Sequence, residues 1–238
     1  MIRINKTKVI PESLENLKFQ KHLKKFLKEE VSVSGDYYGA LDVRASLDNE
    51  YNNKCAYCET IDYKMEIEHY RPKSKYKYLS YEWTNLMPAC HNCNHSKLNK
   101  FPVKNSKIID DINNSGSVKD LEKLNLIEEP YVINPEVDYP NEHFTFNIQG
   151  EILAKTERAE QTIKICNLND KTLIYRRQKS YNDLLEIIKI AKLSSNKISA
   201  KVLEIIKNKI NLKQKKESEY SLFWQNVAEN LENQIIKY

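Results

Sequence analysis

The chain has 238 residues and a mass of 28.1 kDa, enough for one large or two small domains with a buried core. Hydrophobic residues make up 40%, charged residues 30%, and no apolar run approaches the roughly 18 residues that a membrane span needs. These values exclude a disulfide-stapled mini-protein and favour a soluble protein without contact to a membrane. Because the first residues contain no apolar stretch followed by a small-residue cleavage site, we expect a cytoplasmic location.

Charge is distributed unevenly along the chain, whose formal net charge is +5. Residues 63–107 contain nine Lys or Arg and three Glu, a local charge of +6. Residues 175–216 contain twelve basic and three acidic residues, a local charge of +9. Both stretches could face the phosphates of a nucleic acid, although a solvated, lysine-rich helix surface explains the second stretch as well.

The predicted elements of the first half begin with helices. Apolar residues at near-helical spacing predict a helix over residues 12–30, and we expect a second one over about 36–51. A cysteine-rich segment follows, in which the alternation of KMEIEHY predicts a short strand and a helix is expected over about 91–100.

The second half is predicted to contain a hairpin and then helices. Residues 103–130 include Asn-Asn-Ser-Gly, which is typical of a loop or insertion. The alternation in HFTFNIQGEILAK predicts two strands around Gln149 and Gly150, and from residue 157 onward the 3.6-residue period predicts three or more helices. We therefore divide the chain into N-terminal helices (1–53), the cysteine-rich core (54–102), a loop insertion with a hairpin (103–156) and a C-terminal helical region (157–238).

Four of the five cysteines form two Cys-x-x-Cys pairs, Cys55/Cys58 and Cys90/Cys93. In a reducing compartment this pattern indicates metal rather than disulfides, and four thiolates are a closed tetrahedral ligand set for structural zinc. Cys166 lies in an apolar-periodic stretch and is expected to be a small buried hydrophobe. The pairs alone leave three interpretations: a structural zinc ribbon, a zinc module that binds nucleic acid, and a rubredoxin-like iron site. The flanking residues CAYCE and CHNCN argue against iron.

A structural ribbon does not need the polar residues that lie between and after the pairs: IEHYRPK at 67–73, Asn-Leu at 85–86 and CNHSK at 93–97. With them, the segment 54–102 resembles HNH endonucleases of the zinc-knuckle type. The resemblance implies a ββα-metal unit, with His69 ending the first strand, Asn85 at the second strand, and Asn94 to Lys97 on the helix. The expected fold is α+β and mostly helical, with this unit and its four-cysteine zinc site flanked by helices and a β-hairpin.

Residue types suggest how such a unit hydrolyses a phosphodiester, which requires a base, a cation at the departing oxygen and positive charge at the phosphate. His69 is the expected base, because an unperturbed imidazole titrates near neutral pH. We expect Asn85 to hold the His69 ring by a hydrogen bond. Lys97 completes the predicted catalytic set.

A second metal is expected beside the zinc. Glu68 and Asn94 offer hard oxygen ligands for one Mg²⁺ or Mn²⁺, although Glu68 stands where this family more often has Asp. His91 or His95 could supply the helix's ligand instead, but the Cys-Asn-x-x-Lys pattern favours Asn94. The candidate phosphate contacts are Arg71, Lys73 and Lys97.

A looser resemblance extends beyond the core. The segments MIRINK, NLMPACHNCNHSK, INPEVDYP and TERAEQTIKICNLN resemble the PtuB-like nuclease subunits of Septu and some retron anti-phage defence systems. This resemblance implies DNA as the substrate and a PtuA-like ATPase as a partner, which we expect to dock on the helices from residue 157 onward. The sequence has no Gly-x4-Gly-Lys-Ser/Thr motif, so ATP hydrolysis would belong to the partner and no small-molecule cofactor is expected.

Two other functions stay open at this point. A zinc-stabilised protein that binds nucleic acid without catalysis would need only the basic segments. A redox protein with iron in the four-thiolate site is the third hypothesis, and RNA remains possible as the substrate of a nuclease.

Overall fold

The computed structural model describes residues 1–105, 121–193 and 199–235. Its helices and strands in chain order are α1 (Leu17–Leu27), α2 (Gly35–Tyr38), α3 (Leu41–Glu50), β1 (Glu66–His69), β2 (Leu86–Ala89), α4 (His91–Lys97), α5 (Leu121–Glu128), α6 (Pro140–His143), β3 (Phe144–Phe146), β4 (Ile152–Ala154), α7 (Glu157–Ile165), α8 (Lys171–Leu193), α9 (Ala200–Lys213) and α10 (Ser221–Ile235). Single turns of 3-10 helix occur at Glu12–Leu14, Lys77–Leu79 and Trp83–Asn85. The expected fold class, mostly helical α+β, is confirmed.

The N-terminal helices are shorter than predicted. The Asn16 side chain caps α1 by accepting a hydrogen bond from the Phe19 amide, so this helix begins later than the predicted residue 12. The single helix predicted over 36–51 is wrong, because the chain breaks into α2 and α3 at Gly39. A Cβ at Gly39 would lie 2.5 Å from the carbonyl oxygen of Gly35, so only glycine permits this close turn.

The cysteine-rich segment folds as two strands and a helix. β1 and β2 are antiparallel, with Glu66 opposite Ala89 and His69 opposite Leu86, and α4 follows β2 directly. All four residues of β2 are buried, whereas β1 is half-buried at its start and buried at its end. The strand and helix predicted here are confirmed, although α4 ends at Lys97 because Leu98 takes a left-handed conformation.

The predicted hairpin is confirmed as the antiparallel pair β3–β4. Its turn needs Gly150, which has a positive φ of 85° and packs so closely on α8 that a Cβ would lie 2.8 Å from the Ile174 carbonyl oxygen. In the described part of the chain four helices follow, as the prediction of three or more required. Residues 113–116 of the loop or insertion predicted over 103–130 lie outside the described residues, whereas its later part is not a loop, because α5 (Leu121–Glu128) is helical. The four-part division of the chain stays a prediction.

Two hydrophobic clusters organise the fold. The larger one joins side chains from the first residues, the ββα unit, the hairpin and α7, and it includes Leu222 of α10. The smaller one lies among the last three helices and contains Tyr181, Leu184, Ile206, Ile210, Tyr220, Phe223 and Trp224. Within the described parts of the chain, no helix has the length and apolar character that crossing a membrane requires.

Candidate functional site

The four paired cysteines come together in one buried cluster. Their sulfur atoms all lie within 4.8 Å of one another, and the Sγ atoms of Cys58 and Cys90 are 3.7 Å apart. A zinc ion with Zn–S bonds of about 2.3 Å places tetrahedral sulfur ligands about 3.8 Å apart. The cluster therefore fits zinc. Without metal, hydrogen bonds among the four thiols lower the pKa values of Cys58 and Cys90, whereas burial raises that of Cys55 and hydrogen bonds raise that of Cys93.

One cysteine pair lies in a tight turn, and the other lies at the start of a helix. Cys55 and Cys58 lie in a tight turn after α3, closed by a hydrogen bond from the Cys55 amide to the Thr60 carbonyl and by a left-handed Glu59. Cys90 is the N-cap of α4, and Cys93 lies in its first turn. Cys166 is fully buried and lies outside this cluster, as expected.

His69 ends β1 in an enclosed position with 6% of its surface exposed. Its Nε2 atom lies 2.9 Å from the carbonyl oxygen of Ser80. Because a carbonyl only accepts hydrogen bonds, Nε2 must carry the proton, and the Nδ1 lone pair is left to accept one. Burial lowers the pKa of His69 to about 4, and the charges of Lys73 and Lys97 act in the same direction. The imidazole is therefore neutral at neutral pH, the state in which it can act as a base.

The predicted hydrogen bond from Asn85 to His69 is wrong. The Oδ1 atom of Asn85 accepts from the Arg71 amide at 2.8 Å, and its Nδ2 donates to the carbonyls of Arg71 and Leu79 at 3.0 and 3.1 Å. Buried backbone groups need such partners, and the 3-10 turn at Trp83–Asn85 places the amide next to them. Asn85 thus fixes the loop between the strands, and that loop presents the Ser80 carbonyl to His69.

The predicted pairing of Glu68 with Asn94 is also replaced by another arrangement. Asn94 Nδ2 donates to Glu66 at 2.6 Å, whereas the Lys97 ammonium pairs with Glu68 and donates to the His69 carbonyl at 3.0 Å. Glu66 and Glu68 share one face of β1 because alternate residues of a strand do, and Asn94 and Lys97 are one turn apart on α4. Glu66 therefore lies opposite Asn94, and Glu68 lies opposite Lys97 and pairs with it.

Glu68 and Lys97 form a buried pair, with exposed fractions of 5% and 0%. Burial raises the pKa of Glu68 even though the Lys97 charge opposes that shift. Each charge is compensated by the other inside the protein, so the predicted roles of Glu68 as a metal ligand and of Lys97 as a phosphate contact do not agree with this geometry.

Glu66 is the partly exposed acid beside Asn94, the place where the sequence prediction expected Glu68 as a metal ligand. Its Oε1 lies 2.9 Å from His91 Nδ1, and the His91 ring stacks on His95 with 5.6 Å between centroids. Hydrogen bonds from His91 and Asn94 lower the pKa of Glu66. One carboxylate, one amide and two imidazoles thus share the outer face of α4. The signal that could have identified Glu66 is the Glu-x-Glu-His alternation, which places both acids on the helix-facing side of β1.

Of the three cations predicted to contact phosphate, the structure leaves Lys73 exposed. Arg71 is 2% exposed, its Nε bonds to Glu128 at 2.8 Å, and its Nη2 donates to Asn125 at 2.6 Å. The prediction for Arg71 is therefore wrong, because its charge is compensated inside the protein. Lys73 lies at the surface, where its Nζ donates to the Tyr38 hydroxyl at 2.6 Å.

Tyr38 is a neighbour of His69 that sequence reasoning missed. It ends α2, and its ring meets the imidazole edge-on, with centroids 4.8 Å apart and planes at 80°. Its hydroxyl bonds to Lys73, so one side chain from outside the cysteine-rich segment links the buried histidine to the exposed cation. A single tyrosine in a short helix gives no sequence signal for such a contact.

The two-strand-and-helix unit, the four-thiol cluster and the buried, oriented histidine agree with the arrangement expected for an HNH endonuclease of the zinc-knuckle type. Residues 55–100 match the family model described as HNH endonuclease.

The chain is also similar to curated proteins of one bacterial system. It is 33% identical to Septu protein PtuB of Bacillus mycoides (strain KBAB4) over 162 residues, 60% of this chain and 52% of the relative. It is 30% identical to Septu protein PtuB of Bacillus thuringiensis over 180 residues, 72% of this chain and 57% of the relative. A third relative, Septu protein PtuA of Bacillus mycoides (strain KBAB4), is 29% identical over 151 residues, 56% of this chain and 20% of the relative.

The chain thus spans about half the length of the PtuB relatives and a fifth of the PtuA relative. Its residues 55–100 match the HNH endonuclease model, and the chain is similar to the PtuB proteins over part of their length.

Proposed function

We propose that this chain is a metal-dependent endonuclease that hydrolyses DNA phosphodiester bonds, and that it is the effector of an anti-phage defence system controlled by a PtuA-like ATPase. The observation that carries the catalytic proposal is the orientation of His69. Its Nε2 proton is committed to the Ser80 carbonyl, and its Nδ1 lone pair is available on a neutral ring. A protein that only binds nucleic acid has no need to fix the tautomer of a buried histidine.

In this proposal His69 Nδ1 takes a proton from a water molecule as that water attacks phosphorus. The bond between phosphorus and the 3′ oxygen breaks, and the departing oxygen acquires a proton from solvent. Lys73 is the exposed cation nearest in sequence to His69, so it is proposed to contact a non-bridging oxygen of the substrate. Tyr38 lies between these two residues and keeps the imidazole enclosed.

We assign the catalytic Mg²⁺ or Mn²⁺ to the outer face of α4, with Glu66 and Asn94 as its protein ligands and His91 beside them. A carboxylate and an amide at a half-exposed position fit an ion that keeps several waters. Such an ion, when bound, would supply positive charge to neutralise a phosphate held at this face. Glu68 does not fit this role, because its carboxylate is buried against Lys97.

Similarity to two kinds of Septu protein supports the proposed partner. Besides the two PtuB relatives, a stretch of a protein named PtuA resembles this chain. A related module can therefore occur inside a longer protein of that name, which supports a direct association between the two components. The expected test is co-expression of this chain with a PtuA-like ATPase, followed by co-purification and by cleavage assays with and without ATP.

The activity test uses supercoiled plasmid and zinc-loaded protein freed of other metals. Nicking or linearisation should appear when Mg²⁺ or Mn²⁺ is added and should be absent in H69A. H143A is the matched control, because His143 lies in α6 and bonds to Thr156 outside the ββα unit. If the wild type is inactive alone, the ATPase is added. Equal DNA binding by wild type and H69A, without cleavage under either condition, would support the non-catalytic binding protein.

A further inference from the structure

A zinc ion held by four thiolates carries an excess of two negative charges. This charge is buried here, since the four cysteines are at most 7% exposed. Buried charge is costly unless nearby groups of opposite sign or hydrogen-bond donors compensate it. Lys54 is a cation close to the first cysteine pair, but its Nζ already pairs with Glu59 at 3.0 Å. Other groups must therefore stabilise the thiolates.

Arg177 of α8 is a buried cation that lies close to the cluster. It is 2% exposed, and among the described residues it pairs with no carboxylate. Its Nη2 donates to the Leu168 carbonyl at 2.9 Å, while its Nε has no hydrogen-bond partner within the described chain. Arg177 and Cys58 line the same narrow cavity of about 10 Å³. Burial lowers the pKa of the guanidinium, and the nearby Tyr220, Cys58, Glu59 and Cys93 side chains oppose that shift.

Tyr220, the residue before α10, reaches the same cysteine through a hydroxyl relay. Its OH lies 3.2 Å from Thr60 Oγ1, which in turn lies 3.3 Å from Cys58 Sγ. Without metal, the Cys58 thiol donates to Thr60 Oγ1. A thiolate bound to zinc can only accept a hydrogen bond, so zinc binding would make the Thr60 hydroxyl a donor to sulfur and leave its oxygen to accept from Tyr220. In the zinc-bound state both hydroxyl protons would then point toward Cys58.

We propose that Arg177 and Tyr220 form the outer support of the zinc centre: Arg177 supplies positive charge beside the thiolates, and Tyr220 orients Thr60 as a donor to Cys58. Groups that contact metal ligands from outside typically change metal affinity 10- to 100-fold. Both residues lie in the C-terminal region that carries the last helices, more than a hundred residues after Cys58. The protein therefore retains zinc more strongly when the C-terminal region is packed against the ββα unit.

The test measures transfer of zinc from the full chain to a coloured chelator, without DNA. R177M and Y220F should each lose zinc at least about tenfold faster than the wild type. R177K keeps the charge, so its rate of zinc loss should lie between those of the wild type and R177M. K179M is the matched control, since Lys179 is an exposed cation on the same helix, and it should lose zinc at the wild-type rate. Equal rates for the wild type, R177M and Y220F would overturn the proposal.

A second measurement separates this role from a general loss of stability. In cobalt-loaded protein the thiolate-to-metal absorption band should shift in Y220F, because the donor to Cys58 is no longer oriented, and should stay unchanged in K179M. Y220F keeps the buried ring, so it folds even if R177M does not. Faster zinc loss in Y220F with an unchanged cobalt band would mean that Tyr220 acts only through packing, which would also overturn the proposal.

Discussion

Replacement of Lys97 by methionine distinguishes a buried ion pair from a phosphate contact. Methionine fills a similar volume, so the main effect of K97M is to leave the Glu68 carboxylate buried, with the Tyr57 hydroxyl 3.4 Å away. Breaking a buried pair in this way costs about 3–5 kcal/mol. The loss of stability has an upper limit, because Glu68 can take up a proton when its partner is gone. Protonating a carboxyl with a pKa of 4.5 at pH 7 costs about 3.4 kcal/mol. We therefore predict that K97M lowers the free energy of unfolding by about 3 kcal/mol.

The pH dependence of this loss has a definite sign. In K97M the folded-state pKa of Glu68 lies above its unfolded value, so the folded protein binds more protons and becomes relatively more stable as pH falls. The difference in free energy of unfolding between wild type and K97M should therefore decrease by about 2 kcal/mol from pH 7 to pH 5.5.

The measurement is urea unfolding of wild type, K97M and the double variant E68Q/K97M at both pH values. The double variant should be more stable than K97M at pH 7 and should show little change in its deficit with pH, because it has no carboxylate to protonate. K73M is the control, since Lys73 is exposed, and its stability should stay within about 0.5 kcal/mol of wild type while DNA binding weakens. A stable K97M that binds DNA poorly would refute the buried-pair interpretation.

The contacts of the site also predict the effects of three other changes. E128Q removes the carboxylate that pairs with buried Arg71 and should lower the free energy of unfolding, measured with urea, by about 3 kcal/mol. E129Q breaks an exposed pair with Lys104 and should lower it by less than about 1 kcal/mol, so equal effects of the two variants would contradict this prediction. Removal of zinc by a strong chelator should unfold the ββα unit, seen as a loss of near-ultraviolet circular dichroism that zinc restores and magnesium does not. Y38F keeps the ring against His69 and should cleave DNA at nearly the wild-type rate, whereas Y38A should be about tenfold slower; equal rates would show that the ring does not position His69.

The metal centre was predictable because its signal is local. Two Cys-x-x-Cys pairs need only two tight turns to present four thiolates, and the structure supplies these turns after α3 and at the start of α4. The strand, the helix and the hairpin were predictable for the same reason, since residue alternation and helical periodicity act over a few positions. The resemblance to HNH endonucleases implied that His69 ends the first strand, and the structure has it there.

The partners of buried charges were not predictable, because they come from distant parts of the chain. Arg71 was expected to contact phosphate, but Glu128 lies 57 residues further on and neutralises it. The motif gave no indication of which of two acids on β1 would face Lys97, since both lie on the same side of the strand. Residue types show that charge is present in a site, whereas only the folded structure shows whether that charge is already compensated.

Several groups that contact His69 or the cysteine cluster do not belong to the motifs from which the site was predicted. The carbonyl that fixes the His69 tautomer belongs to Ser80, an ordinary loop residue whose contribution is independent of its side chain. The ring that covers His69 comes from α2, and the hydroxyl relay to Cys58 starts at Tyr220. A substrate that reaches His69 must therefore approach past Tyr38, and a partner that binds the C-terminal helices would act close to the zinc support. Through these two contacts the flanking regions can influence His69 and the four-cysteine cluster separately.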